Sequence, residues 1–224
     1  MNRSFRALCA SLLVLSVPAS VLAKEPKTED EKTFYYLGVM AGGGLTRFAL
    51  TDEEMVWVQQ GIGDVVTGDV ADIDPQQYGP KLQAMMEARQ LASVATEKKA
   101  SAAFLEQEAA KPGVRKLDSG LLIEDIVVGT GKSPAVSDTV RVHYHGTLRD
   151  GRVFDSSLER GEPFETPLAR VVECWQQGVS AMKQGGKARL ICPSELAYGD
   201  SSPSPTIPGG SALVFEVELI EVVE

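Results

Sequence analysis

Residues 142–157, which read VHYHGTLRDGRVFDSS, decide the fold of the second half of the chain. Apolar and polar side chains alternate on both sides of Asp150-Gly151, a dipeptide that is typical of a tight hairpin turn. We therefore predict strands over residues 139–148 and 153–155, joined by that turn.

Alternating apolar and polar residues, separated by turn residues, are found through the rest of the chain after Pro112-Gly113. Further strands are predicted over residues 121–128, 187–192 and 213–223. One short helix is predicted over residues 174–182. Roughly five antiparallel strands and a single helix indicate an α+β domain that occupies residues 113–224.

The quoted stretch and several motifs around it resemble the FK506-binding family of peptidyl-prolyl isomerases. The further motifs follow in the family's order and spacing: Gly161-Glu162-Pro163-Phe164, Trp175 with Gly178, Pro193 through Ala197-Tyr198-Gly199, and Ile207-Pro208 leading to residues 213–219. The resemblance covers essentially all of residues 113–224. It implies an antiparallel half-barrel of five or six strands wrapped on a short helix, with an apolar cleft between them.

The resemblance also implies which residues form that cleft. Trp175 would be the floor, and Ile207 would cap the cleft from the loop after Tyr198. The remaining positions that match the family are the walls Tyr144, Phe154, Val171, Val172 and Phe215, the rim residues Asp155 and Tyr198, and the supporting residues Phe164 and Arg160. The implied ligands are proline-containing polypeptides that are unfolded or partly folded, with macrolides of the FK506 type as inhibitors.

Rotation about an X–Pro bond requires no nucleophile, metal or cofactor. Its barrier of about 18–20 kcal/mol comes from amide resonance. An apolar pocket removes the water that stabilises the planar amide, and fixed donors favour the twisted transition state. We expect the Val172 N–H and the Tyr198 hydroxyl to be these donors. Asp155 is expected to organise the site rather than to transfer a proton.

Two cysteines, Cys174 and Cys192, lie in this domain. Cys174 stands where the family usually has glycine, directly before Trp175. In the family's fold the start of the helix and the end of the 187–192 strand are near each other. Two interpretations therefore stay open: a pair of buried free thiols, or a disulfide in an oxidising compartment.

The first half of the chain has the pattern of helices. Residues 24–32 are predicted to be a loose leader, after which an apolar stripe with helical spacing runs from Phe34 to Phe48. Thr51 and Glu54 form a capping box that begins a second helix. Asp74-Pro75 begins a third helix that nothing interrupts before Pro112. The polar second half of this long helix is predicted to be an exposed strut.

Two interpretations of these helices stay open on pattern alone: a small bundle folded back on the next domain, or apolar faces buried against another copy of the chain. The helical half, residues 24–112, resembles the dimerising region of the macrophage infectivity potentiator subfamily. That resemblance is looser and rests on architecture and on Tyr36-Leu37-Gly38. It implies a homodimer formed through the N-terminal helices.

Residues 1–23 have the features of a cleaved signal peptide. Arg3 and Arg6 precede the apolar run of residues 7–17, and Val21-Leu22-Ala23 is a small-x-small cleavage signature. We predict an exported protein, periplasmic in a bacterium, with the outer membrane or the medium as alternative destinations. No later stretch approaches the ~20 apolar residues of a membrane span, so the mature chain is expected to have none.

Composition excludes several other classes of function. The chain has 31 acidic and 22 basic side chains and a formal net charge of −9, which argues against nucleic-acid binding. His143 and His145 share a strand face but have no third ligand in sight, so no metal site is predicted. The alternative function is a dimeric holdase chaperone or binding module, whose cleft holds chains with little catalysis.

Overall fold

The computed structural model describes residues 25–223, so the predicted signal peptide lies outside the described residues. The chain divides into two compact units, one that ends at Thr46 and one that begins at Arg47. The domain boundary predicted between residues 112 and 113 stays a prediction.

In the first unit, helix α1 spans Glu29–Gly42. Thr28 caps it: its hydroxyl accepts from the Glu31 N–H, while the Glu31 carboxylate accepts from the Thr28 N–H. The prediction of a loose leader up to residue 32 is therefore wrong, because Thr28 and Glu31 form a capping box that we did not recognise. A 3-10 helix, Gly43–Phe48, follows α1 directly, and the change of helix type falls within the three glycines at residues 42–44.

The second unit begins with two further helices, both predicted. Helix α2 spans Asp52–Thr67, starts at the Thr51 capping box and ends at Gly68, whose φ of +84° suits a residue without a Cβ. Helix α3 spans Pro75–Ala109 and is capped by Asp74, whose carboxylate accepts from the Gln76 N–H. The single long helix is confirmed.

A seven-stranded antiparallel sheet follows in the same unit. Its strands are β1 Val114–Lys116, β2 Leu122–Val127, β3 Thr139–Leu148, β4 Val153–Ser156, β5 Phe164–Pro167, β6 Lys187–Cys192 and β7 Leu213–Val223. Their order is β1-β2-β6-β7-β3-β4, and β5 also pairs with β3. The longest pairing joins β3 to β7, from Thr139 opposite Val223 to Leu148 opposite Leu213. The α+β fold with N-terminal helices is confirmed.

Two short α-helices also belong to this unit. Helix α4 spans Ser157–Arg160, and helix α5 spans Glu173–Ser180 and packs against the sheet over the main core. Gly178 permits this packing, because a Cβ there would lie 2.6 Å from Leu190 Cδ1. The predicted helix at residues 174–182 is thus confirmed, with slightly different ends.

The second half of α3 is not the exposed strut that was predicted. Val94, Ser101 and Glu108 are buried. The Ala212 N–H donates to Ser101 Oγ at 2.8 Å, and Arg189 donates to Glu108 at 2.6 Å. Phe104, Leu105 and Ala109 pack on a second small core formed by Leu122, Ile191 and Val214. Small side chains and ion pairs hold this half of the helix on the sheet. The pattern of apolar residues in the sequence does not reveal contacts of this kind.

Candidate active site

A cleft of about 310 Å³ opens between α5 and the sheet. It is lined by side chains from β3, β4, β5, β7, α5 and the loops beside α5 and β6. These are Tyr144, Phe154, Asp155, Phe164, Arg170, Val171, Val172, Trp175, Tyr198 and Phe215. Residues far apart in the chain thus converge because β3 pairs with β4, β5 and β7 along its two edges.

Five aromatic rings form a continuous chain along the cleft. Trp175 lies at its centre, with ring centroids 5.1 Å from Tyr144 and 5.4 Å from Phe215. Phe164 contacts Tyr144 at 5.7 Å, and Phe154 contacts Phe215 at 5.5 Å. All four contacts are edge-to-face, with interplanar angles of 69° to 89°. This geometry is favourable for aromatic pairs. All five rings belong to residues that line the cleft.

The Phe154 ring is placed by a glycine on the neighbouring strand. Gly146 of β3 pairs with Asp155 of β4. A Cβ at Gly146 would lie 2.8 Å from both Cε2 and Cζ of Phe154. A larger residue there would push the ring out of its position beside Phe215, so Gly146 shapes the cleft wall without lining it.

A polar network closes one side of the cleft. The Tyr144 hydroxyl donates to one carboxylate oxygen of Asp155, and Arg160 donates to the other. Arg160 also donates to the Tyr144 hydroxyl at 2.9 Å, and its guanidinium lies 5.5 Å from the Tyr144 ring centroid. The network links these three groups to one another by hydrogen bonds.

Charge in this network favours an ionised aspartate. Burial alone would raise the pKa of Asp155, but hydrogen bonds from Tyr144 and Arg160 and the charge of Arg160 outweigh it, so the pKa lies below its usual value. Burial, with the hydrogen bond to Asp155, raises the pKa of Tyr144. At neutral pH the aspartate therefore has no proton to give, and the tyrosine keeps its own.

Several donors of the cleft-lining residues have no partner in the described part of the chain, among them the buried Trp175 Nε1–H. Within residues 25–223, neither the backbone N–H of Val172 nor the hydroxyl of Tyr198 makes a hydrogen bond. Val172 is the N-cap of α5, and its carbonyl accepts from the Trp175 and Gln176 N–H groups. The start of α5 thus places a free donor on a residue that lines the cleft.

The structure brings together most, but not all, of the residues predicted for the site. Arg160 does not line the cleft but donates hydrogen bonds to Asp155 and Tyr144, which do. Ile207 does not line the cleft; its side chain is buried in the main core. Arg170 lines the cleft and was missed, because no motif in the sequence marks it.

The structure joins Cys174 to Cys192 in a disulfide. Their Cα atoms are 5.7 Å apart, and both residues are fully buried. This bond connects the first turn of α5, one residue before Trp175, to the end of β6. It corresponds to the bonded one of the two interpretations that the sequence left open.

Comparison with known proteins agrees with this geometry. A family model described as "FKBP-type peptidyl-prolyl cis-trans isomerase" matches residues 131–220. A second, "Domain amino terminal to FKBP-type peptidyl-prolyl isomerase", matches residues 30–124. The isomerase FkpA of Aeromonas hydrophila is 33% identical over 92% of this chain and 81% of its own length. The chain belongs to the FKBP-type peptidyl-prolyl cis-trans isomerases.

Other members of the family match over similar lengths. The isomerase Mip of Coxiella burnetii is 32% identical over 88% of each chain. The crystal structure of FkpA from Escherichia coli superposes with a TM-score of 0.67 at 31% identity, and covers 88% of this chain and 98% of that one. This FKBP-type isomerase therefore has both the catalytic and the amino-terminal part of its relatives.

Among residues 25–223, no helix has the length and apolar character needed to cross a membrane. The same residues contain no group of three His, Cys, Asp or Glu side chains suited to a metal ion. His143 and His145 instead lie beside the hydroxyls of Ser157 and Ser156, at 3.2 and 3.0 Å.

Proposed function

We propose that this isomerase turns X–Pro bonds of incompletely folded, exported polypeptides, and that the aromatic cleft is where it does so. The observation that carries the proposal is the chain of five rings centred on Trp175, with unpartnered donors at its edge. A proline ring is apolar and compact, and the cleft offers ring faces for it to pack on.

The catalytic step follows from differential binding. Packing of the proline on Trp175 takes the amide out of water, which weakens the solvation of its planar, polar form. As the bond twists, the carbonyl loses its conjugation with nitrogen. The Val172 N–H can then bind a peptide carbonyl beside the proline, and the Tyr198 hydroxyl can bind a second polar group of the chain. Asp155, held by Arg160 and Tyr144, keeps the cleft wall in place and transfers no proton.

A proline-limited refolding assay tests this proposal. We compare the wild type with Phe154→Ala and Asp155→Asn, and use Val153→Ala on β4 as a matched control, because Val153 does not line the cleft. Loss of one central aromatic contact typically costs about 2 kcal/mol, so Phe154→Ala should lower kcat/KM by about 30-fold. The Val153→Ala variant should resemble the wild type. An FK506-type macrolide should inhibit the wild type by competition.

The same assay separates catalysis from holding. If all variants accelerate the proline-limited phase equally, the cleft is not catalytic and the isomerase proposal for it fails. Equal suppression of client aggregation by all of them would then support the holdase. A pure holdase has no need of a cleft with the shape of a proline ring.

We also propose that the chain is a homodimer formed through the N-terminal helices. Neither α1 nor α2 has any buried residue, yet both carry large apolar side chains. Phe34 is 71% exposed on α1, and Trp57 is 70% and Val66 82% exposed on α2. Apolar surface of this extent is typical of a protein interface. A second copy offers the same apolar faces and can cover both helices.

Light scattering on the sized protein tests the dimer. Trp57→Lys should shift the mass towards the monomer, because a buried lysine without a partner is strongly unfavourable. Gln60→Lys, on the same helix at an exposed polar position, should leave the mass unchanged. A wild-type mass equal to one chain would end the dimer proposal.

The proposal that the protein is exported rests on the predicted signal peptide, residues 1–23, alone. Cell fractionation followed by intact mass should find the protein in the periplasm with Lys24 as its first residue. A chain that keeps Met1 and stays in the cytoplasm would contradict export, whereas recovery with the outer membrane or in the medium would place it in one of the alternative compartments.

A further inference from the structure

The catalytic arrangement proposed above leaves one charged residue of the cleft, Arg170, without a role. The other charged lining residue, Asp155, is neutralised by its ion pair with Arg160. Arg170 is exposed, and among residues 25–223 no carboxylate oxygen lies within 4.0 Å of its guanidinium. The cleft therefore carries one uncompensated positive charge, in a chain whose formal net charge is −9.

The backbone holds Arg170 at a defined place on the cleft edge. It ends the 3-10 helix Leu168–Arg170. Leu168 is fully buried and donates its N–H to the Asp138 carbonyl at 2.9 Å. On the other side, the Gln176 side-chain amide donates to the Val171 carbonyl at 2.9 Å. The Cα of Arg170 is thus fixed on both sides while its charged end remains free.

Arg170 is also close to the donor proposed for the peptide carbonyl. Val171 has extended backbone angles, φ −100° and ψ 172°. Alternate residues of an extended chain are roughly 6–7 Å apart, so Arg170 lies about one dipeptide from Val172 along the cleft edge. A peptide bound at the Val172 N–H would place the side chains that flank its proline within reach of this long cation.

We propose that Arg170 determines specificity, and that it favours substrates with an acidic side chain within two residues of the proline. A guanidinium forms two parallel hydrogen bonds to a carboxylate and repels a lysine. Without Arg170, the net negative charge of the chain disfavours acidic peptides. The inference deepens the proposed function and depends on the cleft being the site of isomerisation.

The experiment uses synthetic proline peptides that carry a single Glu, Gln or Lys at one of the two positions on either side of the proline. The measured quantity is the ratio of kcat/KM for the Glu peptide to that for the matching Lys peptide, in the full-length protein at low ionic strength. This ratio is independent of any general change in activity. Arg170→Gln and Arg170→Glu are compared with Arg152→Gln, which removes the same charge from an exposed hairpin residue outside the cleft.

At one or more positions, the ratio in the wild type should exceed that in Arg170→Gln by about two- to fivefold, the range for an exposed ion pair. Arg170→Glu should reverse the preference towards lysine, and the excess should shrink at about 0.5 M salt. An equal ratio in wild type and Arg170→Gln at all four positions would overturn the inference. So would an equal drop in Arg152→Gln, which would assign the effect to overall charge.

A further variant distinguishes failure of this inference from failure of the proposed function. Phe154→Ala should turn over every peptide of the series slowly, whatever its charge. Suppose that Phe154→Ala turns the peptides over slowly but the Glu-to-Lys ratio of kcat/KM is the same in wild type and Arg170→Gln. That result would overturn the specificity role of Arg170 and leave the cleft as the catalytic site. Undiminished turnover of all peptides by Phe154→Ala would overturn both.

Discussion

Loss of the Cys174–Cys192 disulfide should destabilise the isomerase domain by an amount that follows from its place in the chain. The bond joins residues 18 apart and closes a loop that contains α5 from its second residue onward. In the chain-entropy model, a cross-link over a loop of this length stabilises the folded state by about 3 kcal/mol at 25 °C, because it restricts the unfolded chain. The Cα separation of 5.7 Å lies in the usual range for a disulfide.

Two perturbations separate the cross-link from the atoms that form it. Reduction of the wild type removes the bond but keeps both sulfur atoms. Cys174→Ala with Cys192→Ala removes the bond and also leaves small cavities in the core, since both residues are fully buried. We therefore expect the order of stability to be oxidised wild type, then reduced wild type, then the double variant.

Urea unfolding, followed to equilibrium with and without dithiothreitol, measures the effect. With a slope of about 2–3 kcal/mol per M, a loss of about 3 kcal/mol lowers the midpoint of the wild type by about 1 M. The double variant should unfold at one midpoint in both buffers. Intact mass under non-reducing conditions should be lower than the reduced mass by two hydrogens.

Two results would refute this reasoning. An unchanged midpoint on reduction would show that the bond contributes nothing to stability. A non-reduced mass that equals the reduced mass would show two free thiols, and would return the pair to the interpretation of buried, unpaired cysteines.

Three further predictions concern the cleft and the docking of α3. Gly146→Ala forces its new Cβ against the Phe154 ring, so it should cost about 1–3 kcal/mol of stability. It should also raise KM more than it lowers kcat. An unaltered KM would show that the position of the ring does not matter for substrate binding. Because the pKa of Asp155 lies below its usual value, the group is ionised throughout pH 5–8 and kcat/KM should be flat there; a break that disappears in Asp155→Asn would assign it a proton-transfer role. Burial opposes ionisation of Glu108, but the hydrogen bonds and charges of Arg189 and Lys111 outweigh burial and lower the pKa of Glu108. The stability that ionised Glu108 contributes should therefore be present above the ordinary carboxyl pKa, and be lost as the pH falls through the lowered pKa. Glu108→Gln should cost about 1–3 kcal/mol at neutral pH and flatten that part of the acid unfolding curve; an identical acid curve in wild type and variant would show the pair to be inert.

The strongly periodic elements could be predicted from the sequence to the residue. Strands β3, β6 and β7 have the predicted ends. Strand β3 alternates over its whole length, and parts of β6 and β7 alternate as well. The short strand β5 was not predicted. Strand β5 begins and ends beside prolines, which argue against a strand when no partner is visible, and it exists because β3 supplies one.

The candidate site shows the same division. The aromatic residues were found through motifs that resemble a family, and ten side chains of distant origin do line one cleft. Ile207 matches a family motif but lies in the core, and Arg170 lines the cleft with no motif to mark it. Whether a side chain lines a cleft depends on the path of a loop, and local sequence does not record that path.

By itself, the sequence determined the class of fold, the caps of α2 and α3, and the family to which the chain belongs. The tertiary structure decided that the polar half of α3 docks on the sheet through Ser101 and Glu108, and that Cys174 and Cys192 form a disulfide. The physical reason is that periodicity and capping are interactions within a few residues. Burial, ion pairing and disulfide formation depend on partners that only the folded chain brings near.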